Sequence, residues 1–306
     1  MVINLKKKFC RFLIYFYQII GYNYKRHVLH DFNNIFLKTK RDLTIYSKSC
    51  LKKKSILIFG CGYNYPDVIL YSKFCKNVVG IDIAKSFYKD NITRNFWELK
   101  RAGKNDILSY FEIFYKKIIY KRYYRYLKII SKTPVDHKKY KLISYDGEKI
   151  PFNDEIFDVV ISNAVLEHVE RLERVFEEIY RVTKKGGISY HRWHNYYSFS
   201  GNHLPEEINL KYPWGHLISK LDSMGFKYKA LYLNKLRPEQ IKKQFSKFFK
   251  IKGFYAVDKI NNKRGIDSGF KYEHAELLTE EVKKQLSKYP EDLLLIRHYT
   301  IIGIKR

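Results

Sequence analysis

Three short stretches hold the residues best suited to chemistry. The first is 58–67, IFGCGYNYPD, directly after an apolar, β-prone run. Gly60 and Gly62 let the backbone turn sharply and come close to a ligand. Pro66 suits the first turn of a helix, whose free N–H groups would hold a carboxylate. About 20 residues on, a second β-prone run ends in Gly80-Ile81-Asp82, where an acid is placed to accept hydrogen bonds from ribose hydroxyls. A dinucleotide would share this logic. However, Asn64 and Tyr65 stand where further glycines would admit a pyrophosphate, so the pattern favours a cofactor lacking one.

The second stretch is Leu166-Glu167-His168, at the end of a later apolar run, where an open α/β sheet places its functional edge. His168 is either a base or a structural histidine. The third is the sequence HRWHN at 191–195, with SGNH at 200–203 and PWGHL at 213–217. Here His194, His203 and His216 stand beside Asn, Trp or Gly in loop-like sequence. Three readings compete for them. One is a substrate pocket with a histidine as general base. Another is a histidine metal site, although the spacing fits no standard motif and no metal ligand is assigned. The third is a loop stapled by His and Trp hydrogen bonds.

Something must hold these stretches together. Five β-prone runs occur in order at 55–59, 77–81, 141–144, 157–162 and 187–191. Helical patterns separate most of them, which argues for a parallel sheet with right-handed crossovers. The clearest helix is expected over 165–182, closed by Lys184, Lys185 and the pair Gly186-Gly187. The second crossover, from Asp82 to Asp146, far exceeds the dozen or so residues such a connection needs. An insertion at about 97–136 therefore contains an amphipathic helix over 107–130, with Leu108, Phe111, Tyr115, Ile119, Tyr123, Tyr126 and Ile130 on one face. Lys117, Lys121, Arg125 and Lys128 lie opposite. A further strand is expected at 226–233, a helical elaboration at about 235–297, and a last strand at 298–304.

The pieces FGCG at 59–62, VVGIDI at 78–83, YDGEKIPFNDEIFDVVISNAVLEHV at 145–169 and EIYRVTKKGGISY at 178–190 appear in one order. In that order they resemble the class I methyltransferases that use S-adenosylmethionine (SAM), in particular the type 11-like group. The resemblance covers about residues 52–194. It implies an α/β fold: a Rossmann-like, seven-stranded, mostly parallel sheet with helices on both faces, to which the insertion and an N-terminal helical segment are added. It also implies that Gly60, Cys61 and Gly62 pass along the methionine moiety. Asp82 would bind the ribose, with Ile83 against the adenine. Asp146 would meet the adenine amino group beside Gly147, and Asn163 would line the cleft. The loop departs from the family's richer glycine pattern at residues 63–65. The histidine-rich stretches are similar to those of methyltransferases of surface-polysaccharide biosynthesis. On that reading His194 or His203 is the base, and His168, Asn195 and His216 contact the substrate.

Composition bounds the partners. The 306-residue chain carries a formal net charge of +28. Residues 1–54 hold thirteen Lys/Arg against Asp31 and Asp42, and residues 100–141 hold thirteen against Asp106, Glu112 and Asp136. Such charge favours an anionic partner: a phosphate-linked substrate, an anionic membrane surface, or nucleic acid. AT-rich codon usage would also supply much of the lysine. The segment 1–50 is read as a basic helical unit ahead of a methyltransferase domain at 51–306. Its apolar run FLIYFYQII at 12–20 is shorter than the roughly 20 residues of a membrane span. It suits an interfacial helix or one packed on the protein's own core. Cys10, Cys50, Cys61 and Cys75 show no C-x-x-C spacing, which fits a reducing cytoplasm. The leading expectation is methylation of a hydroxyl or amine of a sugar or glycan precursor, lipid-linked or soluble, in the cytoplasm or at the inner membrane face. The alternatives are an RNA or DNA methyltransferase and a non-catalytic binding protein on the same fold. Against nucleic acid, SNAV stands after the fourth strand where an N-P-P-Y-like tetrad would be.

Overall fold

The computed structural model describes residues 24–47, 50–84, 87–89, 107–204, 206–218, 232–256 and 275–306. These build a seven-stranded sheet from β1 (Ser55–Phe59), β2 (Asn77–Asp82), β3 (Lys141–Ser144), β4 (Phe157–Asn163), β5 (Thr183–His194), β6 (Phe249–Ala256) and β7 (His298–Lys305). The strand order is β3-β2-β1-β4-β5-β7-β6. β1 to β5 pair in parallel, and β7 lies antiparallel to both β5 and β6. This is the expected Rossmann-like arrangement. The order reverses between β1 and β4, so a crevice opens beyond their C-terminal ends, where such sheets bind ligands.

Alternation along β1 divides the core. Ile56 and Ile58 join one buried cluster with the helices α1 (Tyr24–Leu29), α2 (Lys38–Ser47), α3 (Pro66–Ser72) and α4 (Ile107–Ser131). Leu57 and Phe59 join a second with α5 (Leu172–Val182) and α7 (Pro238–Ser246). The short helix α6 (Glu206–Lys211) precedes α7, and α8 (Glu280–Gln285) and α9 (Glu291–Leu295) lead into β7. Helices therefore cover both faces, as a parallel sheet requires.

The N-terminal unit does not stand apart. A π-helical turn, His30–Leu37, joins α1 to α2, and Val28, Phe36 and Leu43 are fully buried. The Tyr123 hydroxyl of α4 donates to Asp31, and the Tyr190 hydroxyl of β5 donates to Asp42. These residues pack on the protein's own core. The apolar run at 12–20 lies outside the described residues.

The insertion helix forms as its pattern predicts. Tyr123 and Leu127 are buried, while Lys117, Lys121, Arg125 and Lys128 are exposed. Other expectations need correction. The helix read over 165–182 breaks into a 3₁₀ turn, Leu166–His168, and α5. Asn234 explains the break: its side-chain amide donates to the carbonyls of Leu166 (2.7 Å) and Val169 (3.1 Å), and its N–H donates to that of Glu167 (2.9 Å). Carbonyls that a continuous helix would use are thus taken. The expected glycine stop is a bulge instead: Thr183 already pairs with Phe157, and the register resumes at Ile188 opposite Val159.

The region 235–297, read as helical, contains β6. Lysines alternating in FKIKGFYA suit an edge strand, where they discourage pairing with another chain, and they disguise it as polar helix. Of the strand expected at 226–233, residues 226–231 lie outside the described residues. Tyr232 and Leu233 are in no strand.

Candidate active site

A cavity of about 570 Å³ opens at the topological reversal, within the range of small-molecule sites. Its first end is built mostly from backbone. Gly60 and Gly62 both adopt φ of +69°, in the region that favours glycine. A side chain at Gly60 would also place its Cβ 2.3 Å from a Val165 methyl. The N–H groups of Gly60 and Cys61 donate to the Ile81 carbonyl, at 2.9 and 3.0 Å. Asp82 then locks the turn, its carboxylate accepting from Gly62 N at 2.7 Å and Ala84 N at 2.9 Å.

Beside it Ile83 is 67% exposed and lines the cavity, an apolar ledge ready for a flat ring. On the far side Asp146 accepts from Glu148 N (2.8 Å) and Lys149 N (3.2 Å), both on Oδ1. These bonds hold its carboxyl below the usual carboxylate range. Gly147 (φ +89°) turns the chain here, and a Cβ would come within 3.5 Å of Ile83.

Two expected cofactor residues do other work. The Cys61 side chain is buried behind the loop, against Gly80, and burial pushes its thiol up. It does not line the cavity. Nor does Asn163, whose amide donates to Asp67 Oδ2 at 2.8 Å, in the first turn of α3. Asp67 keeps a small part of its surface exposed but lies deep in the molecule, and desolvation raises its carboxyl to about 6. Asn163 thus braces α3 from behind the loop.

The departure at residues 63–65 has a physical cause. Tyr65 is fully buried in a left-handed conformation (φ +39°). It packs against Phe87, Tyr124, Tyr140 and His137, and its hydroxyl bonds His137 Nδ1 at 2.8 Å. Tyr124 of α4 donates to the Asn64 carbonyl at 2.7 Å. The insertion therefore supports the glycine loop with rings where a dinucleotide fold would leave space.

The other end of the cavity is made of side chains. The 3₁₀ turn after β4 turns Glu167 inward and His168 toward the cavity. His168 Nδ1 lies 2.9 Å from the Tyr232 carbonyl and must be its donor. Its ring stands edge-on to His203, with centroids 5.0 Å apart. His203 Nε2 lies 2.8 Å from His194 Nδ1, and His194 Nε2 lies 3.3 Å from Ser200 Oγ. His194 also stacks on His298 at 4.8 Å, its partner in the β5–β7 register. Burial depresses both loop histidines, His203 to about 4 and His194 well below the usual imidazole range, so both are neutral. Glu167 is only 3% exposed, and desolvation raises it to about 7. Its Oε1 accepts the His194 N–H at 3.1 Å.

The structure thus brings His168, His203 and His194 together but leaves His194 and His203 off the cavity lining. His194 is buried with both ring nitrogens engaged, so it cannot reach a substrate proton directly. Asn195 and His216, expected at the substrate, are staples. Asn195 donates to the carbonyls of Leu293 and Ile296, both at 2.7 Å, and accepts from Tyr197 N. His216 Nε2 donates to the Tyr196 carbonyl at 2.8 Å. Sequence reasoning missed Glu167 and His298 as members of this cluster. The only sequence signal was that a histidine opens the last alternating run.

A family model for a methyltransferase domain matches residues 123–190. Over 47 residues the chain is 47% identical to an uncharacterised protein, MJ1123, of Methanocaldococcus jannaschii, a match covering 15% of this chain and 23% of that protein. The chain thus spans less than a quarter of that relative's length. Among solved structures it is similar to the PH0226 protein of Pyrococcus horikoshii, at 14% identity over 90% of this chain and 91% of that one, with a TM-score of 0.45. It is also similar to a geranyl diphosphate C-methyltransferase of Streptomyces coelicolor, at 11% identity over 93% and 84%, with a TM-score of 0.48. The family match falls on the elements that carry β3, β4 and the turn with His168, and the cavity beside them is lined by an acid, an apolar ledge and a glycine turn. Residues 123–190, which match a methyltransferase domain, thus lie within a Rossmann-like sheet.

Proposed function

We propose that this protein methylates a hydroxyl, or an amine, of a sugar or glycan precursor. The observation that carries the reading is one continuous cavity with Asp82, Ile83 and Asp146 at one end and His168 at the other. Bound SAM would supply a methyl group already activated on a sulfonium, transferred by in-line displacement. Asp82 holds the ribose, Ile83 the adenine face, and Asp146 the adenine amino group through the oxygen not committed to the backbone. Gly60 and Gly62 let the methionine portion pass against main chain. Alignment of the two reactants contributes about 7–11 kcal/mol toward the barrier.

A hydroxyl acceptor must lose a proton at the His168 end. Because Nδ1 of His168 donates to the Tyr232 carbonyl, its Nε2 carries the lone pair. We assign the proton-accepting position there rather than to His194 or His203, which support it from behind. The exposed basic face of α4 suits an anionic surface or the phosphate of a carrier-linked substrate. Among the described residues no helix is long and apolar enough to cross a membrane, so contact there would be peripheral. The test is calorimetric titration with SAM and its demethylated product on the wild type and on Asp82→Ala, followed by a screen of nucleotide sugars and lipid-linked sugars. Binding by wild type alone, with turnover on a sugar hydroxyl, supports the reading. Cofactor binding with turnover only on nucleic acid would replace the acceptor.

A further inference from the structure

We propose that Glu167, His168 and His203 form a binding site for a divalent transition-metal ion of the zinc class, at the acceptor end of the cavity. One donor atom of each residue lies within 4.8 Å of the others. Ligand bonds of about 2.0–2.2 Å place tetrahedral donors about 3.4 Å apart, so modest side-chain rotation closes the set.

Two independent observations single these residues out. Glu167 Oε2 is buried and accepts no hydrogen bond, while Oε1 is held by the His194 N–H. A buried carboxylate oxygen left this way costs free energy unless something occupies it. Metal-bound histidines, moreover, donate their other ring N–H to a fixed partner, which sets the tautomer. His168 does this through Nδ1 to the Tyr232 carbonyl, leaving Nε2 free for the ion. His203 can do the same: with Nε2–H donating to His194 Nδ1, His194 donates its own Nε2–H to Ser200 Oγ. The buried, neutral His194 is then a positioning residue with a purpose.

Two imidazoles and a carboxylate suit zinc and its neighbours rather than magnesium or calcium. Three protein ligands leave a coordination position open, and His168 lines the cavity, so that position faces the acceptor. An ion there would ligate the acceptor oxygen and lower its pKa, the proton leaving to water in the open cavity; in the metal-bound form His168 is a ligand, and in the metal-free form it is the proton acceptor. This role rests on the methyl-transfer reading; the binding itself does not.

The experiment is titration of chelator-treated full-length protein with Co²⁺, followed by visible absorption, and competition by Zn²⁺. The expected result is one equivalent with ligand-field bands, weakened at least about 100-fold in His168→Ala and in Glu167→Gln, given that even outer partners of ligands cost 10–100-fold. SAM titrations on the same proteins report whether each remains folded and cofactor-competent. A wild type that binds SAM but no Co²⁺ overturns the site, as does Co²⁺ binding that both variants retain. Failure of SAM binding alone, with Co²⁺ binding intact, would instead undo the methyl-transfer reading.

Discussion

The two ends of the cavity are built by different means. The end proposed for the cofactor is backbone held by one acid: Gly60 and Gly62 turn, and Asp82 fastens the turn from the next strand. The acceptor end is a stack of imidazoles from β4, β5, the following loop and β7, with a carboxylate beneath. The first end is tied to the sheet by main-chain hydrogen bonds. The second is adjustable, because side chains on a common sheet edge can be exchanged without moving a strand. Chemistry common to many acceptors belongs at the first end and acceptor choice at the second.

The largest expected effect tests that division. His168→Ala should lower kcat by about 10²–10⁴-fold, the range for a lost proton-transfer group, with the Kd for SAM unchanged. Steady-state kinetics beside calorimetry decide it, and a parallel loss of cofactor affinity would join the two ends into one unit. Asp82→Ala should act the other way. It removes the acceptor of two backbone bonds and the ribose contact, and charge-assisted bonds are worth about 1.5–3 kcal/mol each. SAM binding should weaken at least about 100-fold while the acceptor's KM, at saturating cofactor, holds.

A third substitution sharpens the distinction between site and scaffold. Asn195→Ala removes three hydrogen bonds, two of them buried, and should cost about 2–4 kcal/mol of stability, read from urea unfolding, with kcat changed far less than by His168→Ala. The smallest effect concerns Asp67, behind the cofactor loop. Its carboxyl titrates near 6 when folded and lower when unfolded. The folded state therefore binds the extra proton, and stability falls as pH rises from about 4 to 6 and levels above it. Asp67→Asn should flatten that slope, gaining about 3 kcal/mol at most at pH 8 relative to pH 4. An unchanged pH profile of unfolding would show that the Asn163 bond already compensates the charge.

The same contrast explains what could be read in advance. That Gly60, Gly62, Asp82, Ile83, Asp146 and Gly147 line one cavity was legible because their logic is local: each sits at a strand end, and the fastening bond spans only 20 positions. The acceptor end was legible in parts. The motif at 166–168 and the histidines of the following loop announce themselves, but their geometry depends on the register that sets His194 against His298, and no local pattern encodes that pairing. Cys61 and Asn163 were drawn to the cavity by their neighbours in sequence, whereas packing against Gly80 and the Asp67 bond turn them away from it. One of the rings around Tyr65, Tyr124, comes from an insertion whose helix was evident and whose docking was not; the others, Phe87, His137 and Tyr140, come from the segments flanking it.

The position of β7 has a consequence for how the protein is made. It lies inside the sheet, between β5 and β6, although it follows both in the chain. During synthesis the outer edge of β5 is exposed while the next hundred or so residues emerge, and β6 has no neighbour at all. Long-range pairing of this kind is slow and leaves unpaired edges open to aggregation. A product cut short before His298 would therefore be a hazard to its neighbours and not a smaller working enzyme, and fusion or labelling at this end must leave the last strand free to slide home.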